Sequence, residues 1–530
     1  MNRSQDFSTH DASQTDGLSQ LPIGAQRAVC CLLIVIAGAM AAGRVASVNQ
    51  VFDPNLFRGT EERNSKRVWL NKKPAPVPTL SSNDRSRWLT VRALLENGTY
   101  SIGKRDVPTV AYSAVATVGC LQPAAIVAIL EAGKNARIAS DRGPLFEDGW
   151  NSIDRVMRPD TLEFYSSKPP LFPTLMAGST WALEKATGWK LKNDPAAVVR
   201  TSLWVWNVLP FMLYLGVFAS LVFQLTTNAW VRIVLVAAAC FGTMVTPFLI
   251  TINNHTPAVF LATFALGALM GPGHPGLGRA LLAGGFAGFA FSMELPALAL
   301  VAGLPLLMLG RASVGTFAAY LLAASIFILA LGWCNWISLE RILPAYSEFG
   351  GPWYDYEGSP WQPYDAFGQP KRNIDFARRH LGETRLEYAF HFLVGHHGLF
   401  SLTPLFLVSL AGALIWTASL LVRPSFQNKT GLLGLLTLGL TATLVAFYLY
   451  KSDNYGGVSC ANRWLIWLTP LLLLSAIPAL EILSRYKSGR TIVFLFVAVG
   501  VFSASWPAWT PWKLPWLYDL MMFLGWPGYA

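Results

Sequence analysis

Long apolar runs with few or no charges recur along the chain. They cover residues 28–48, 203–225, 233–250, 257–271, 316–338, 399–422, 432–450, 465–480 and 491–506, with a further stretch at 280–308. Most reach or approach the about 20 residues that a helix needs to cross a bilayer core. The pattern predicts an all-α polytopic membrane protein, a helical bundle of about 11 to 12 spans.

Polar stretches divide these runs into four predicted regions. We expect a disordered cytoplasmic tail, an N-terminal catalytic transmembrane module with an extracytoplasmic loop, a second extracytoplasmic loop or small domain, and C-terminal transmembrane helices. The corresponding residues are 1–26, 27–336 with the loop at 49–168, 337–397, and 398–530.

Two runs allow a second interpretation. The first run ends in small residues, as signal peptides do, but its polar leader is long for a signal sequence, so a retained span is predicted. Residues 107–130 lack charges, yet Thr, Ser, Gln and Pro dilute them, and they are predicted not to cross the membrane.

Composition supports a lipid environment. The 530 residues are 53% hydrophobic and 13% charged, whereas soluble domains carry about 25% charged residues. The net charge of +11 suits anionic headgroups or a phosphate-bearing substrate, although cytoplasmic loops would give the same total. The short basic segments 185–200 and 485–490 are both predicted to be cytoplasmic.

The segment SSNDRSRW opens a predicted amphipathic helix at residues 81–88. Ser, Asn and Asp are N-cap residues, the apolar side chains that follow share one face, and Gly98 can end the helix. Such a helix is expected to lie along the membrane surface. Asp84 stands beside Arg85 and Arg87, so it can accept a proton from a hydroxyl near a lipid phosphate; alternatively, Asp84 only caps the helix.

The segment YSSKPPLFP marks the point at residues 165–173 where a polar loop turns into an apolar run. Its prolines favour an extended entry, and Lys168 can pair with a phosphate at the membrane boundary. The alternative is a snorkelling interfacial lysine.

Three further residues are candidates. Glu294 lies in the middle of the run 280–308, which is predicted to form two short helices meeting there, and a carboxylate inside a membrane suggests function unless the turn is hydrated at headgroup level. His255, in the turn NNHTP, is a candidate for substrate contact or a plain polar turn residue. Arg463 is a candidate phosphate ligand or a span anchor.

The segments NDRSRWLTVRALLENGTYSI and YSSKPPLFPTLMAG together resemble the GT-C superfamily of membrane glycosyltransferases, which includes protein mannosyltransferases and the aminoarabinose transferase of lipid A. Asp84 matches the acidic position of the first extracytoplasmic loop in that family, and Lys168 matches its K-P-P lysine. Arg85 replaces a second acidic residue, which puts a metal site at that position in doubt.

The resemblance implies a GT-C-like bundle with interfacial helices in the first long loop. It also implies an inverting hexosyl- or pentosyltransferase of the cytoplasmic (inner) membrane. A sugar would pass from a polyprenyl-phosphate donor to a lipid, protein or polysaccharide acceptor on the extracytoplasmic face, with Asp84 as catalytic base and Arg85, Arg87, Lys168, His255 and Arg463 as substrate ligands.

Membrane lipids are the other expected partners, no nucleic acid is expected, and a divalent cation stays open as a cofactor. The segment 346–397 carries several aromatic residues and would cover the site or form an ordinary surface domain. The main alternative function is a lipid-linked sugar flippase or other secondary transporter, which predicts symmetric halves and charges in the middle of spans. A noncatalytic assembly or export component is the other alternative.

Overall fold

The computed structural model describes residues 21–48, 79–105, 141–147, 149–356, 358–361, 383–422, 424–452 and 454–526. Residues 107–130, Tyr364 and most of the predicted tail lie outside these ranges. The α-helices, in chain order, are α1 (Ile23–Ser47), α2 (Ser82–Asn97), α3 (Leu171–Thr187), α4 (Pro195–Leu203), α5 (Leu209–Leu225), α6 (Ala229–Phe241), α7 (His255–Met270), α8 (Leu277–Met293), α9 (Leu298–Gly303), α10 (Val314–Leu339), α11 (Arg385–Leu393), α12 (Leu399–Leu402), α13 (Leu405–Val422), α14 (Lys429–Lys451), α15 (Thr469–Ser475), α16 (Ile477–Leu483), α17 (Lys487–Ser505) and α18 (Trp516–Phe523).

Six helices in the described residues are long and apolar enough to cross a membrane. They are α1, the continuous helix Pro195–Leu225 that joins α4 to α5 through a π-helical turn, α10, α13, α14 and α17. The bent pair Arg463–Ser475 and Ile477–Leu483 is a seventh candidate, and four shorter apolar helices accompany them. The chain thus has the character of a multi-pass membrane protein, and the count of 11 to 12 spans stays a prediction.

The prediction of an all-α fold is wrong in one respect, because the first long loop contains a small antiparallel sheet. Its strands, β1 (Gly103–Arg105), β2 (Asp141–Arg142), β3 (Arg155–Met157) and β4 (Glu163–Ser166), lie in the order β2-β1-β4-β3. Strands of two to four residues are too short to give an alternating pattern that sequence reasoning detects.

Helix α2 begins and ends where the sequence predicts. Ser81 is the N-cap and its hydroxyl accepts from the backbone N–H of Asp84, while Gly98 ends the helix in the left-handed conformation at φ 63°. Every residue from Asn83 to Ala93 is buried within the protein, so this part of α2 has no exposed apolar face, and its position along the membrane surface stays a prediction. Burial on all sides follows from packing against α3 and against the loop before β3.

Helix α3 follows Lys168 but is not one of the candidate spans. Pro170 is its N-cap residue, and Glu184 and Lys185 fall in its last turn. The Tyr100 hydroxyl and the Thr174 hydroxyl lie 2.9 Å apart, which joins the loop after α2 to the first turn of α3. The predicted extended entry therefore leads into a helix that packs against α2.

Helices α8 and α10 make the closest helix contact in this part of the chain. A Cβ atom at Gly284 would overlap the backbone carbonyl of Tyr320, and one at Gly288 would overlap that of Ala324. Glycines four residues apart let two backbones approach in this way. Helix α8 ends just before Glu294, and the short helices after it confirm the predicted break at that residue.

The two ends of the bundle are recognisable from their contacts. At one end, called the site end below, the Arg44 guanidinium in the last turn of α1 donates to the Thr246 and Ala508 carbonyls at 3.0 and 2.9 Å. At the other end, Arg232 donates to the Gln26 side chain at 2.9 Å, and the Asn228 amide donates to the Ser484 hydroxyl at 3.0 Å.

The two basic segments predicted to be cytoplasmic lie at different ends. Arg200 donates to the carbonyl of Val48, directly after α1, at 3.1 Å, which places residues 185–200 at the site end. Residues 485–490 begin α17 and lie at the other end. The two segments cannot both be cytoplasmic, so the prediction is wrong for one of them. It rested on the number of basic residues alone, which does not show that α3 ends before it reaches the other end of the bundle.

Candidate active site

Asp84 is completely buried, at 0% exposure, in the first turn of α2. One carboxylate oxygen accepts from the backbone N–H of Leu80 at 3.2 Å, and the other accepts from that of Ile252 at 3.3 Å. Because the second contact crosses 168 residues of sequence, the carboxylate does more than cap its own helix. Burial raises the pKa of Asp84 to about 6, and hydrogen bonds from Thr251 and Leu80 oppose that rise.

The two neighbouring arginines have different surroundings. Arg85 donates to the carbonyls of Asn151 and Thr79 at 2.8 and 3.3 Å, so its guanidinium is directed at loop backbone. Arg87 donates to the Asn83 carbonyl at 2.7 Å and to the side chain of Asn254, next to His255. Burial lowers the pKa of both to about 10, which leaves both charged at neutral pH.

The surroundings of Asp84 are electropositive. Divalent cations prefer carboxylate oxygens, but neighbouring positive charge opposes their binding. Both oxygens of Asp84 already accept backbone N–H groups, and the charges of Arg87 and Arg85 act on the carboxylate.

Lys168 forms an ion pair with Asp154, with 2.6 Å between Nζ and Oδ1. The Ser86 hydroxyl joins this pair to α2, because it lies 2.6 Å from the Ser166 hydroxyl and donates to the Asp154 carbonyl at 2.5 Å. Burial lowers the pKa of Lys168, whereas the charge of Asp154 raises it. Lys168 also lines a small cavity that the last two residues of α10 border, so this residue lies near the end of a candidate span.

His255 and Glu294 form a second buried pair, with 2.6 Å between Nδ1 and Oε1. His255 is 5% exposed at the start of α7, and Glu294 is 5% exposed at the break after α8. The predicted alternative of a hydrated carboxylate at headgroup level is wrong, because Glu294 is buried against an imidazole.

Arg463 reaches the same region from the start of the bent helix pair. Its Nε and Nη1 are buried and have no hydrogen-bond partner within the described residues. Its guanidinium lies 4.9 Å from the centre of the Trp512 ring, and Gly456 allows the backbone to pass close to Nε. A charged group with unused buried donors is suited to an anion that arrives from elsewhere.

These groups form one electrostatic cluster. The charges of Asp154, Asp84, Arg463 and Glu294 all act on Arg87, and those of Asp154, Arg87 and Arg463 act on Lys168. Five of the six predicted site residues therefore lie together, and Arg85 flanks them with its donors turned to backbone. Below, these residues with Asp154 and Glu294 are called the polar cluster.

The aromatic segment after α10 reaches the polar cluster. Burial raises the pKa of both Tyr346 and Tyr354, and the charges of Glu294 and Asp154, respectively, add to the two rises. Tyr354 is 4% exposed. This part of the predicted cover thus borders the site.

Asp154 is the member that sequence reasoning missed. It lies in a loop between a short 3-10 turn and β3, without a motif around it. Asp160 and Glu163 lie nearer to Lys168 in the chain, so sequence spacing did not single out Asp154.

Comparison with known proteins gives solved structures but no sequence family. No family model and no curated protein matches the chain. The chain is similar to a crystal structure of the Archaeoglobus fulgidus oligosaccharyltransferase in complex with zinc and sulfate, at 12% identity and a TM-score of 0.44, covering 93% of this chain and 55% of that one.

Two further structures of the same archaeal protein are similar to the chain. One is tethered to an acceptor peptide containing the NVT sequon, with 11% identity and a TM-score of 0.45. The other, AglB in complex with an inhibitory peptide and a dolichol-phosphate, has 12% identity and a TM-score of 0.38. The chain spans 57% of the length of each of these two structures.

Proposed function

We propose that this protein is a membrane glycosyltransferase that moves a sugar from a polyprenyl-phosphate donor to an acceptor on the extracytoplasmic face. The observation that carries the proposal is the convergence of one buried carboxylate, Asp84, with Arg87, Lys168 and Arg463. The reaction needs a base for the acceptor and positive charge for the departing phosphate.

The roles follow from the surroundings of each group. Arg463 has unused buried donors, and Lys168 lies near the end of α10, so these two would hold the donor phosphate while its tail stays in lipid. Their charge would offset the charge that develops on the leaving phosphate. Arg87 adds charge from the side of α2.

Asp84 would take the proton from the acceptor. The acceptor oxygen attacks the anomeric carbon, the bond from that carbon to the phosphate oxygen breaks, and the proton passes to the carboxylate. A single displacement of this kind inverts the anomeric centre. The pKa of about 6 keeps the carboxylate ionised at neutral pH while making it a stronger base than an exposed aspartate.

His255 and Glu294 would complete the wall of the site. Glu294 holds the imidazole, and the charges of Arg463 and Arg87 act on His255. A neutral imidazole in that position can bond to a sugar hydroxyl through its second ring nitrogen. Arg85 would position Asp84 by fixing the loop around Asn151.

The extracytoplasmic placement is part of the proposal and rests on the resemblance to the GT-C superfamily. The basic residues do not decide it, because Arg27, Arg232 and Arg490 lie opposite the site end whereas the basic segment 185–200 lies at the site end.

The test is turnover by the purified protein in detergent or nanodiscs. Radiolabelled undecaprenyl-phosphate hexoses and pentoses serve as donors, with a cell-envelope extract as the acceptor source. We expect labelled product that Asp84→Asn reduces by about a hundredfold or more, whereas Asp160→Asn, an exposed acid on the same loop system, leaves it unchanged.

Vesicle assays distinguish the proposed transferase from the main alternative, a lipid-linked sugar flippase. Protein-dependent movement of labelled lipid across reconstituted vesicles, without any new glycosidic product, would overturn the transferase proposal in favour of a flippase. An Asp84→Asn protein that retains full turnover would overturn the assignment of the base.

A further inference from the structure

Three of the seven histidines of the chain lie side by side after the start of α11. His391, His396 and His397 are 4%, 0% and 2% exposed. The rings of His391 and His396 are stacked, with centroids 4.2 Å apart and planes 11° from parallel. Neither resemblance to a family nor the proposed reaction assigns a role to these three residues.

A carboxylate completes the group. Ligand atoms of Glu383, His391 and His396 all lie within 4.8 Å of one another. Two imidazoles and one carboxylate form a common donor set for zinc, which leaves a fourth position for water or another ligand. Ligand atoms at the usual distances around tetrahedral zinc lie roughly 3.3–3.5 Å apart, so a small contraction would close this site.

Each of two ligands is oriented by a second group. The Tyr455 hydroxyl donates to Oε2 of Glu383 at 2.7 Å, and Nδ1 of His397 lies 2.5 Å from Nδ1 of His396. The His397 ring is itself stacked on Tyr455, with centroids 4.8 Å apart. Outer partners of this kind fix ring orientation at metal sites, and the bond at Nδ1 of His396 assigns Nε2 to the metal.

The backbone is adapted to the same arrangement. A Cβ atom at Gly395 would overlap the ring and the backbone of His391, so only glycine lets the chain turn from His391 to His396 this tightly.

We propose that Glu383, His391 and His396 bind one zinc ion. Through Tyr455, which bonds to Glu383 and belongs to the turn after α14, the ion would link the start of α11 to that turn. The next residue of the turn, Gly456, lies against Arg463. The site would lie outside the polar cluster and keep its fourth position open to water or another ligand. The proposal does not depend on the function proposed for Asp84.

The experiment measures metal content of the full chain. The protein, stripped with a chelator, is dialysed against Zn²⁺ and then against metal-free buffer, and bound zinc is counted by mass spectrometry. We expect one zinc per chain, retained by His274→Ala, whose ring bonds to the Arg311 carbonyl elsewhere, and by Asp84→Asn. The double variant His391→Ala/His396→Ala is expected to retain none.

Two further measurements guard against misfolding of the double variant. Tyr455→Phe leaves all three ligands in place and should weaken zinc binding by about 10–100-fold. Zinc should also raise the thermal midpoint of the wild-type chain but not that of the double variant.

Three results would overturn the proposal. They are a wild-type chain that retains no zinc, a double variant that retains as much as the wild type, and loss of zinc in Asp84→Asn. The last result would place the ion at the polar cluster instead.

Discussion

The Lys168 ammonium lies 2.6 Å from the Asp154 carboxylate, a contact between the loop before β3 and the loop after β4. Burial lowers the pKa of Lys168, and the charge of Asp154 opposes that fall. In the proposed mechanism, Asp154 would thus act through Lys168, the residue assigned to the donor phosphate.

Removing Asp154 should therefore narrow the pH range of activity from the alkaline side. In Asp154→Asn the pKa of Lys168 loses the contribution that raises it and falls further. We expect the alkaline limb of the pH–rate profile to move to lower pH by roughly one unit or more. Asp160→Asn is the matched control, because Asp160 pairs with Arg158 on the surface. If the alkaline limb of the pH–rate profile stayed in place in Asp154→Asn, the role given to the pair of Lys168 and Asp154 would be contradicted.

The acid limb should report Asp84. Its pKa is raised to about 6, so the carboxylate is ionised above that pH and protonated below it. Activity should be flat between pH 7 and the alkaline limb and should fall about tenfold per unit below pH 6, as expected for one essential base. Steady-state rates from pH 4.5 to 8 at saturating donor would check this, and a rate that stays flat down to pH 5 would argue against Asp84 as the base.

A pair of neighbouring glycines offers a test of Arg463. Gly456 and Gly457 have φ of 95° and 72°, so alanine at either position carries a similar conformational cost of about 1–2 kcal/mol. A Cβ at Gly456 would lie 3.2 Å from Nε of Arg463, whereas one at Gly457 has nothing within 4 Å. Gly456→Ala should raise the KM for the donor severalfold, whereas Gly457→Ala should not. Both substitutions should lower the thermal midpoint of unfolding. Equal KM values for the two variants would argue against Arg463 as a ligand of the donor phosphate.

The buried pair of His255 and Glu294 predicts strong coupling in stability. Replacing one partner leaves the other polar side chain buried without its contact, which costs stability. Replacing both partners removes this cost, because no unpaired polar side chain is left behind. The loss of stability in the double variant His255→Ala/Glu294→Ala should therefore be smaller than the sum of the losses in the two single variants. The coupling should be roughly 0.5–3 kcal/mol. Additive shifts in thermal midpoint would show that the two side chains are independent.

The sequence predicted the parts of the molecule that follow a single physical rule. Apolar runs indicated the helices, Ser81 and Gly98 indicated the ends of α2, and Glu294 indicated the break after α8. The resemblance brought Asp84 and Lys168 together in advance of any structure. These predictions depend on local preference or on a short motif, and both are visible in one stretch of chain.

What the sequence did not predict depends on contacts between distant stretches. The second hydrogen bond of Asp84 comes from Ile252, and the partner of Lys168 is an acid in a loop without a motif. The strands are too short to alternate, and α2 is buried because the loops and α3 cover its polar face. The side chains of Glu383, His391 and His396 come together across a sharp turn, at which Gly395 leaves room for the ring of His391.

The contact of α8 with α10 at Gly284 and Gly288 limits how this protein can open. The two helices touch through main-chain atoms, so repacking of side chains cannot change their spacing, and any sliding would force Cα against carbonyl. Helix α8 ends just before Glu294, and helix α10 ends beside the cavity at Lys168. The fixed contact between the two helices therefore also fixes the positions of Glu294 and Lys168 relative to each other along the bundle axis. If the proposed lipid donor binds here, it would enter past a different wall, and variants that loosen this crossing would alter alignment within the site rather than access to it.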